Sequence, residues 1–340
     1  MAQPRRITSL ISLIPCLCML TAPRDAALAQ RPGPTQRPGW NSMSIAETDE
    51  IKVDASSIEV DFAEGRLDLP KAAVLAHIQA AASAVATYYG RFPVDRARVL
   101  VIPVAGRQGI LQGTTWGGMR GFPGFTRIRI GEHTTPADLA EDWMTTHELV
   151  HMAFPSMPDD QHWIEEGLAT YIEPIARVMT GNLTPQRIWG DMVRDMHQGE
   201  PEADDEGLDR THTWGRTYWG GALFCLVADV QIRRETNNRK GLQDALRAIV
   251  AQGGTIDHDW DLPRALGIGD RATDTQVLTR MYAEWKDKPV TVDLPALWGE
   301  LGIQSTPRGI EFIASAPDAK VREAITRSAG PPAVATVVPR

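Results

Sequence analysis

Residues 146–152 read Thr146-His147-Glu148-Leu149-Val150-His151-Met152, an H-E-x-x-H pattern that constrains the fold more than any other stretch of the chain. On a helix, side chains four apart lie on one face, one turn above each other. His147 and His151 would then stand side by side, able to share one metal ion. Glu148 projects from an adjoining part of the same surface, within reach of water at that ion. Zinc suits such a site, because it takes nitrogen donors at about 2.0–2.1 Å and keeps one position open in catalytic centres. The flanks fit a helix over 136–153. Thr135 reads as its N-cap, Pro136 occupies the first helical position, and apolar residues follow at helical spacing.

Two imidazoles do not complete such a centre, and a third protein ligand is needed. Position 157, where a third histidine would extend the pattern to H-x-x-G-x-x-H, is Met157, and Phe154 stands where that extension needs glycine. That arrangement is excluded. Downstream, Trp163-Ile164-Glu165-Glu166-Gly167-Leu168-Ala169 opens a second amphipathic segment with two carboxylates at its start. Adjacent residues differ by about 100° around a helix, so Glu165 and Glu166 cannot both face one ion.

The first 29 residues read as a secretory signal peptide, with Arg5 and Arg6, an apolar run from Ile7 to Leu20, and Ala27-Leu28-Ala29 before the cleavage point. The run is short for a membrane span. Removing it takes away three arginines and one aspartate, so the net charge moves from −8 to −10. An acidic chain with no basic stripe is a poor partner for nucleic acid or an anionic membrane. Of the three cysteines only Cys225 remains, in an apolar run that reads as buried, so no internal disulfide is expected. The expected setting is bacterial, periplasmic or secreted, with no stable membrane insertion after processing.

Residues 30–50 read as a Pro/Gly/Gln-rich linker. Residues 51–135 read as a sheet-rich part, with strands near 51–53, 58–62 and 97–104, a helix from Pro70 to Tyr89 closed by Gly90, and a hairpin or edge strand over 109–131. Residues 136–313 read as helical, with helices over 136–153, 163–180, 185–198, 214–235, 240–252 and 273–287 and an acidic loop at 199–213. Residues 314–340 read as a short helix followed by a disordered tail. The class is α+β, with the metal helix at the junction. His133, His162, His197 and His212 read as loop or helix-end histidines. His212, six residues before Tyr218, is the nearest of them to a substrate role.

Over residues 88–235 the sequence resembles the aminopeptidase N family of gluzincins and the wider thermolysin-like clan. Those proteins carry H-E-x-x-H followed by a W-L-N-E-G-F-A type helix whose glutamate is the third ligand. The resemblance implies that Glu166, not Glu165, completes a zinc site with His147 and His151. The 14 intervening residues are a few fewer than usual in that family. Gly117-Gly118-Met119-Arg120 resembles the family's G-x-M-E-N edge strand, which implies substrate contacts for Met119 and Arg120. Tyr218-Trp219-Gly220-Gly221-Ala222 resembles a Y-x-K-G-A segment whose tyrosine stabilises the tetrahedral intermediate, which implies that role for Tyr218. Arg120 stands where the family has the glutamate that binds a substrate's free amino group, so aminopeptidase specificity does not carry over.

The resemblance implies a zincin-like fold, with a small mixed or antiparallel sheet before a mainly helical part. It also implies a zinc-dependent peptidase, with Glu148 as general base and a peptide or protein as substrate. Two other expectations stand beside it: a zinc hydrolase of a non-protein amide, and an inactive binding protein on the same fold.

Overall fold

The computed structural model describes residues 44–328 and 335–338. The expected signal peptide and most of the expected linker lie outside the described residues. Strand β1 (Ile45–Val53) pairs antiparallel with β2 (Ser56–Ala63) and places Ile51, Val53, Ile58 and Val60 on the buried face. Strand β2 lies parallel to β3 (Arg96–Val104), and the crossover between them is helix α1 (Lys71–Tyr89). Parallel neighbours require such a long connection. Helix α1 ends as its sequence dictates, with Gly90 in the left-handed conformation at φ 79°.

The hairpin β4 (Ile110–Met119) and β5 (Phe122–Gly131) completes that side of the sheet, with β5 parallel to β3 and β4 outermost. Its turn is Arg120-Gly121, both at positive φ (53° and 80°). Positive φ at both central residues matches the twist of the flanking strands.

Two expectations are corrected at the opposite edge. Strand β1 begins at Ile45, inside the stretch read as linker. Residues Ala335–Val338 are not a disordered tail: they form β8, paired antiparallel with β1. The sheet order is therefore β4-β5-β3-β2-β1-β8. An exposed strand edge offers unpaired N–H and C=O groups that almost any segment can satisfy. Such pairing leaves little trace in composition.

The expected helix over 136–153 is broken. Helix α2 (Pro136–Glu141) starts as read, with the Thr135 hydroxyl accepting from the Asp138 N–H and Pro136 in the first turn. Asp142 is extended, at φ −65° and ψ 126°, and its carboxylate accepts from the backbone N–H groups of Met144 and Thr145 at 3.0 and 3.1 Å. That aspartate ends one helix and caps the next, α3 (Met144–Val150). A short 3₁₀ turn, His151–Ala153, follows.

Helices α4 (His162–Met179) and α5 (Pro185–Asp195) come next. A π-helical turn (Gly215–Gly220) then runs straight into α6 (Gly221–Glu235). Helices α7 (Leu242–Ala251) and α9 (Val277–Trp285) lie within their expected ranges. Three elements had not been read: α8 (Leu262–Thr273), α10 (Leu294–Leu301) and a hairpin of β6 (Ile303–Thr306) with β7 (Gly309–Phe312). Helix α11 (Ala319–Ile325) is the short helix foreseen near the end.

One hydrophobic cluster joins the inner face of the sheet to α1 and the later helices. Under α4 two main chains come close together. A Cβ at Gly167 would fall 2.3 Å from the Gly221 Cα, and one at Gly221 would fall 2.1 Å from the Trp163 carbonyl oxygen. Helices α4 and α6 thus cross backbone to backbone, which fixes the start of α4 against the π-helical turn. Gly167→Ala should cost about 3 kcal/mol, the upper part of the range for overpacking, because the obstacle is main chain and not a flexible side chain. Urea denaturation checks this; a loss under about 1 kcal/mol would mean that the crossing relaxes easily.

Candidate metal centre

Helix α3 turns His147 toward the start of α4, and the 3₁₀ turn that continues it carries His151 to the same face. The two rings lie 4.9 Å apart, centre to centre, at 85°. Helix α4 brings Glu166 between them, with Oε2 at 3.1 Å from His147 Nε2 and 3.6 Å from His151 Nε2. One donor atom from each of the three residues lies within 4.8 Å of the other two. A tetrahedral zinc with ligands at 2.0–2.1 Å sets its donors about 3.4 Å apart. The spacing and the N/N/O donor set therefore fit that ion. His147 and Glu166 are buried, 4% and 8% exposed, so a charge placed here is shielded from bulk water.

Glu165 is buried. It points to the other side of His162. That ring sits between the two carboxylates, with Nδ1 at 2.9 Å from Glu165 Oε2 and Nε2 at 3.1 Å from Glu166 Oε1. Burial alone would lower the His162 pKa, but hydrogen bonds to Glu165 and Glu166 outweigh it and push it up to about 9. Burial likewise opposes ionisation of Glu166, yet the surrounding imidazoles hold its carboxyl well below the usual range. His162 was read as an incidental helix-end histidine. Its i,i+4 spacing from Glu166 was the signal for this contact.

Glu148 faces the sheet. The Thr115 hydroxyl on β4 lies 2.7 Å from Glu148 Oε2 and 2.9 Å from the Glu148 main-chain oxygen. Gly113, two residues earlier, leaves the room: a Cβ there would fall 2.5 Å from Glu148 Cγ. Burial pushes the Glu148 carboxyl up, and nearby Glu166 adds to the effect. Neither Thr115 nor Gly113 was singled out from sequence, because nothing local marks which residues of an edge strand will meet a distant helix.

Met119 and Arg120 are not brought to this centre. Edge strand β4 meets Glu148 at Gly113 and Thr115, whereas Arg120 lies in the turn, about 16 Å farther along at ~3.3 Å per residue. Met119 is buried, 3% exposed. The G-x-M-E-N likeness thus falls on the end of β4 and its hairpin turn. His212 and His197 are exposed.

Tyr218 is brought close. Its ring stacks on His147 at 6.2 Å and 17°. Burial pushes its hydroxyl pKa up, and the nearby Glu166 and Glu148 carboxylates add to this. On the same side a cavity of about 610 Å³ opens, lined by His147, Tyr218, Trp143, Trp214 and Trp219 and farther out by residues of α4 and α5. Glu173 is buried and paired with Arg177 at 2.8 Å in the cavity wall.

No protein-family profile and no curated protein matches the chain. Among solved structures it superposes on an aminopeptidase N family protein from Idiomarina loihiensis with a TM-score of 0.56 at 11% identity, covering 80% of this chain and 53% of that one. An M1 zinc metallopeptidase from Deinococcus radiodurans gives 0.46 at 16% identity, covering 72% and 52%. Only the first superposition is close enough to bear on architecture, and at this identity it speaks for the fold alone. The chain has an α+β fold like that of the Idiomarina loihiensis protein, and it spans about half the length of both structures. Among the described residues no helix is long and apolar enough to cross a membrane.

Replacing His147, His151 or Glu166 with alanine should abolish stoichiometric metal in the purified protein. Removing the ring that holds Glu166, in His162→Ala, should weaken zinc affinity about 10- to 100-fold. Competition with a chelating dye measures it, and unchanged affinity would make the His162 contact idle.

Proposed function

We propose that the protein is a zinc-dependent peptidase whose ligands are His147, His151 and Glu166 and whose general base is Glu148. The observation that carries this reading is the convergence of three donors at zinc-like spacing, beside a carboxylate anchored to an edge strand. Zinc at such donors supplies Lewis acidity toward a carbonyl and a lowered pKa for water, to about 7.

The chain's own groups would do the rest. Thr115 and Gly113 fix Glu148 in one position. Its raised pKa is the direction a base working near neutral pH needs. Glu148 takes a proton as water oxygen bonds to the scissile carbonyl carbon. As the C–N bond breaks, the same proton passes to the leaving amine. The Tyr218 hydroxyl, with its pKa raised, stays protonated and can donate to the oxygen that gains negative charge. Substrate would be a peptide or protein, and the net charge of −8 makes nucleic acid an unsuitable partner. The apolar N-terminal run and its Ala27-Leu28-Ala29 end support export to the periplasm or beyond.

Glu148→Gln should retain zinc and lose peptide hydrolysis, assayed on a mixed-sequence peptide library. A Glu148→Gln protein that cleaves as fast as wild type would remove the base from the scheme. Tyr218→Phe should keep the metal and slow turnover about 10²- to 10³-fold. A change in KM alone would leave that hydroxyl with a binding role only.

A further inference from the structure

Tyr218 is carried by the π-helical turn Gly215–Gly220. Such turns are rare and concentrate at functional sites. A π turn holds one residue more than an α-helical turn. Without that residue, the chain ahead of it would rotate by about 100° relative to α6. The phenol would then leave its stack on His147. Helical residues adopt the α form far more often, so the wide turn needs support from outside itself.

Two supports are present. A 3₁₀ turn, Met196–Gly199, lies against it main chain to main chain. A Cβ at Gly199 would fall 2.3 Å from the Trp219 carbonyl oxygen, and one at Gly215 would fall 2.6 Å from that of Gln198. The second support is Arg216, within the π turn and only 2% exposed. Its Nη1 donates to the Gly199 carbonyl. Its Nε faces Asp205 Oδ2 at 3.7 Å, and neither Nε nor Nη2 has a hydrogen-bond partner among the described residues.

A buried guanidinium is costly, and one with two nitrogens unmet is uncommon. For packing alone an apolar side chain would serve this position better. The arginine supplies what an apolar chain cannot: a bond from the π turn, two residues before Tyr218, to the neighbouring 3₁₀ turn. Its side-chain partners, Gly199 and Asp205, are not residues of the metal centre, so its effect on the chemistry passes through the turn.

We propose that Arg216 is a positioning residue, which ties the π-helical turn to Gly199 and so keeps the Tyr218 phenol stacked on His147. This rests on the peptidase reading for what the phenol does. The placement of the ring is a separate claim, and its test has a readout that needs no turnover.

The chain holds five tyrosines. Labelled throughout with 3-fluorotyrosine, the protein should give a fluorine resonance for each, and Tyr218→Phe identifies the one from position 218. In Arg216→Met that resonance alone should shift or broaden, with and without zinc, because the other four tyrosines lie on α1, α4 and α9. Peptide turnover should fall about 10- to 100-fold through kcat, with KM and zinc content unchanged. Added to Tyr218→Phe, the same substitution should slow turnover less than about threefold further, since the hydroxyl it places is gone. Arg216→Lys is the second variant and carries the test if Arg216→Met does not fold. Its reach is shorter and it lacks the planar fork, so the Tyr218 resonance should move in the same direction by less. An unmoved Tyr218 resonance, shifts spread over all five tyrosines, or a double variant in which the two losses multiply would each overturn the proposal. If the wild type cleaves no peptide, the peptidase reading fails and the fluorine spectra still decide the placement. If it cleaves and those spectra stay unmoved, only the placement fails.

Discussion

A carboxylate taken out of water must be surrounded by positive charge or by donors, and Glu166 is where this fold meets that demand. Burying one ion costs several kcal/mol after relaxation, and stripping a buried ion of its partner costs roughly 3–5 kcal/mol. Three imidazoles converge on this single group, at 3.1, 3.6 and 3.1 Å. Three elements must meet for that to happen: α3, the 3₁₀ turn after it, and the first turn of α4. The same convergence suits a cation, which satisfies the carboxylate and two neutral histidines at once. His162 then stands outside the donor set, and its hydrogen bonds to Glu165 and Glu166 fix the carboxylate's orientation from behind.

Two close approaches make the geometry possible. Gly167 follows Glu166 directly and lets α6 lie against α4, main chain to main chain. Because α6 is continuous with the π-helical turn, this contact also sets where Tyr218 stands relative to Glu166. Gly113 does the corresponding job on the other side, where the Glu148 side chain occupies the space that a Cβ would fill. Glu148 shares α3 with His147, and its side chain is held in addition by the edge of the sheet.

How much of this could be read beforehand depended on the range of the interaction. His147, Glu148 and His151 lie within one helical turn, so their common face followed from 3.6 residues per turn. Choosing Glu166 over Glu165 needed the family likeness, because spacing alone left both open. The break at Asp142 was legible in hindsight as a side chain able to cap the N–H groups of Met144 and Thr145. It was hidden by an apolar period that runs through it. Helices α8 and α10 announce themselves by Asp261-Leu262-Pro263 and Asp293-Leu294-Pro295, an N-cap residue with proline in the first turn. The meeting of Thr115 with Glu148 spans 33 residues and two elements, and no local period encodes it. The place of Met119 and Arg120 at a turn was hidden for a related reason. Glycines on either side of Arg120 suit a substrate-binding strand and a tight turn equally well, and only strand pairing separates the two.

The two sides of the centre are unlike, and this decides how a ligand reaches it. Glu148 is pinned under β4, with Thr115 and the Gly113 main chain covering it. His147 and Tyr218 instead face the open cavity, so access is from their side. Apolar surface left in water costs roughly 25 cal/mol per Å², and the chain avoids that cost almost everywhere: Trp163 and Trp189 are both 2% exposed or less. Trp143 is only one position removed from the helix that carries the histidines, and Trp214 directly precedes the turn that carries Tyr218. Each therefore sits on the element that holds a functional group and shares its alignment. Exposure kept at those two points, when the rest of the described core is closed, sets the apolar wall of the cavity beside His147 and Tyr218.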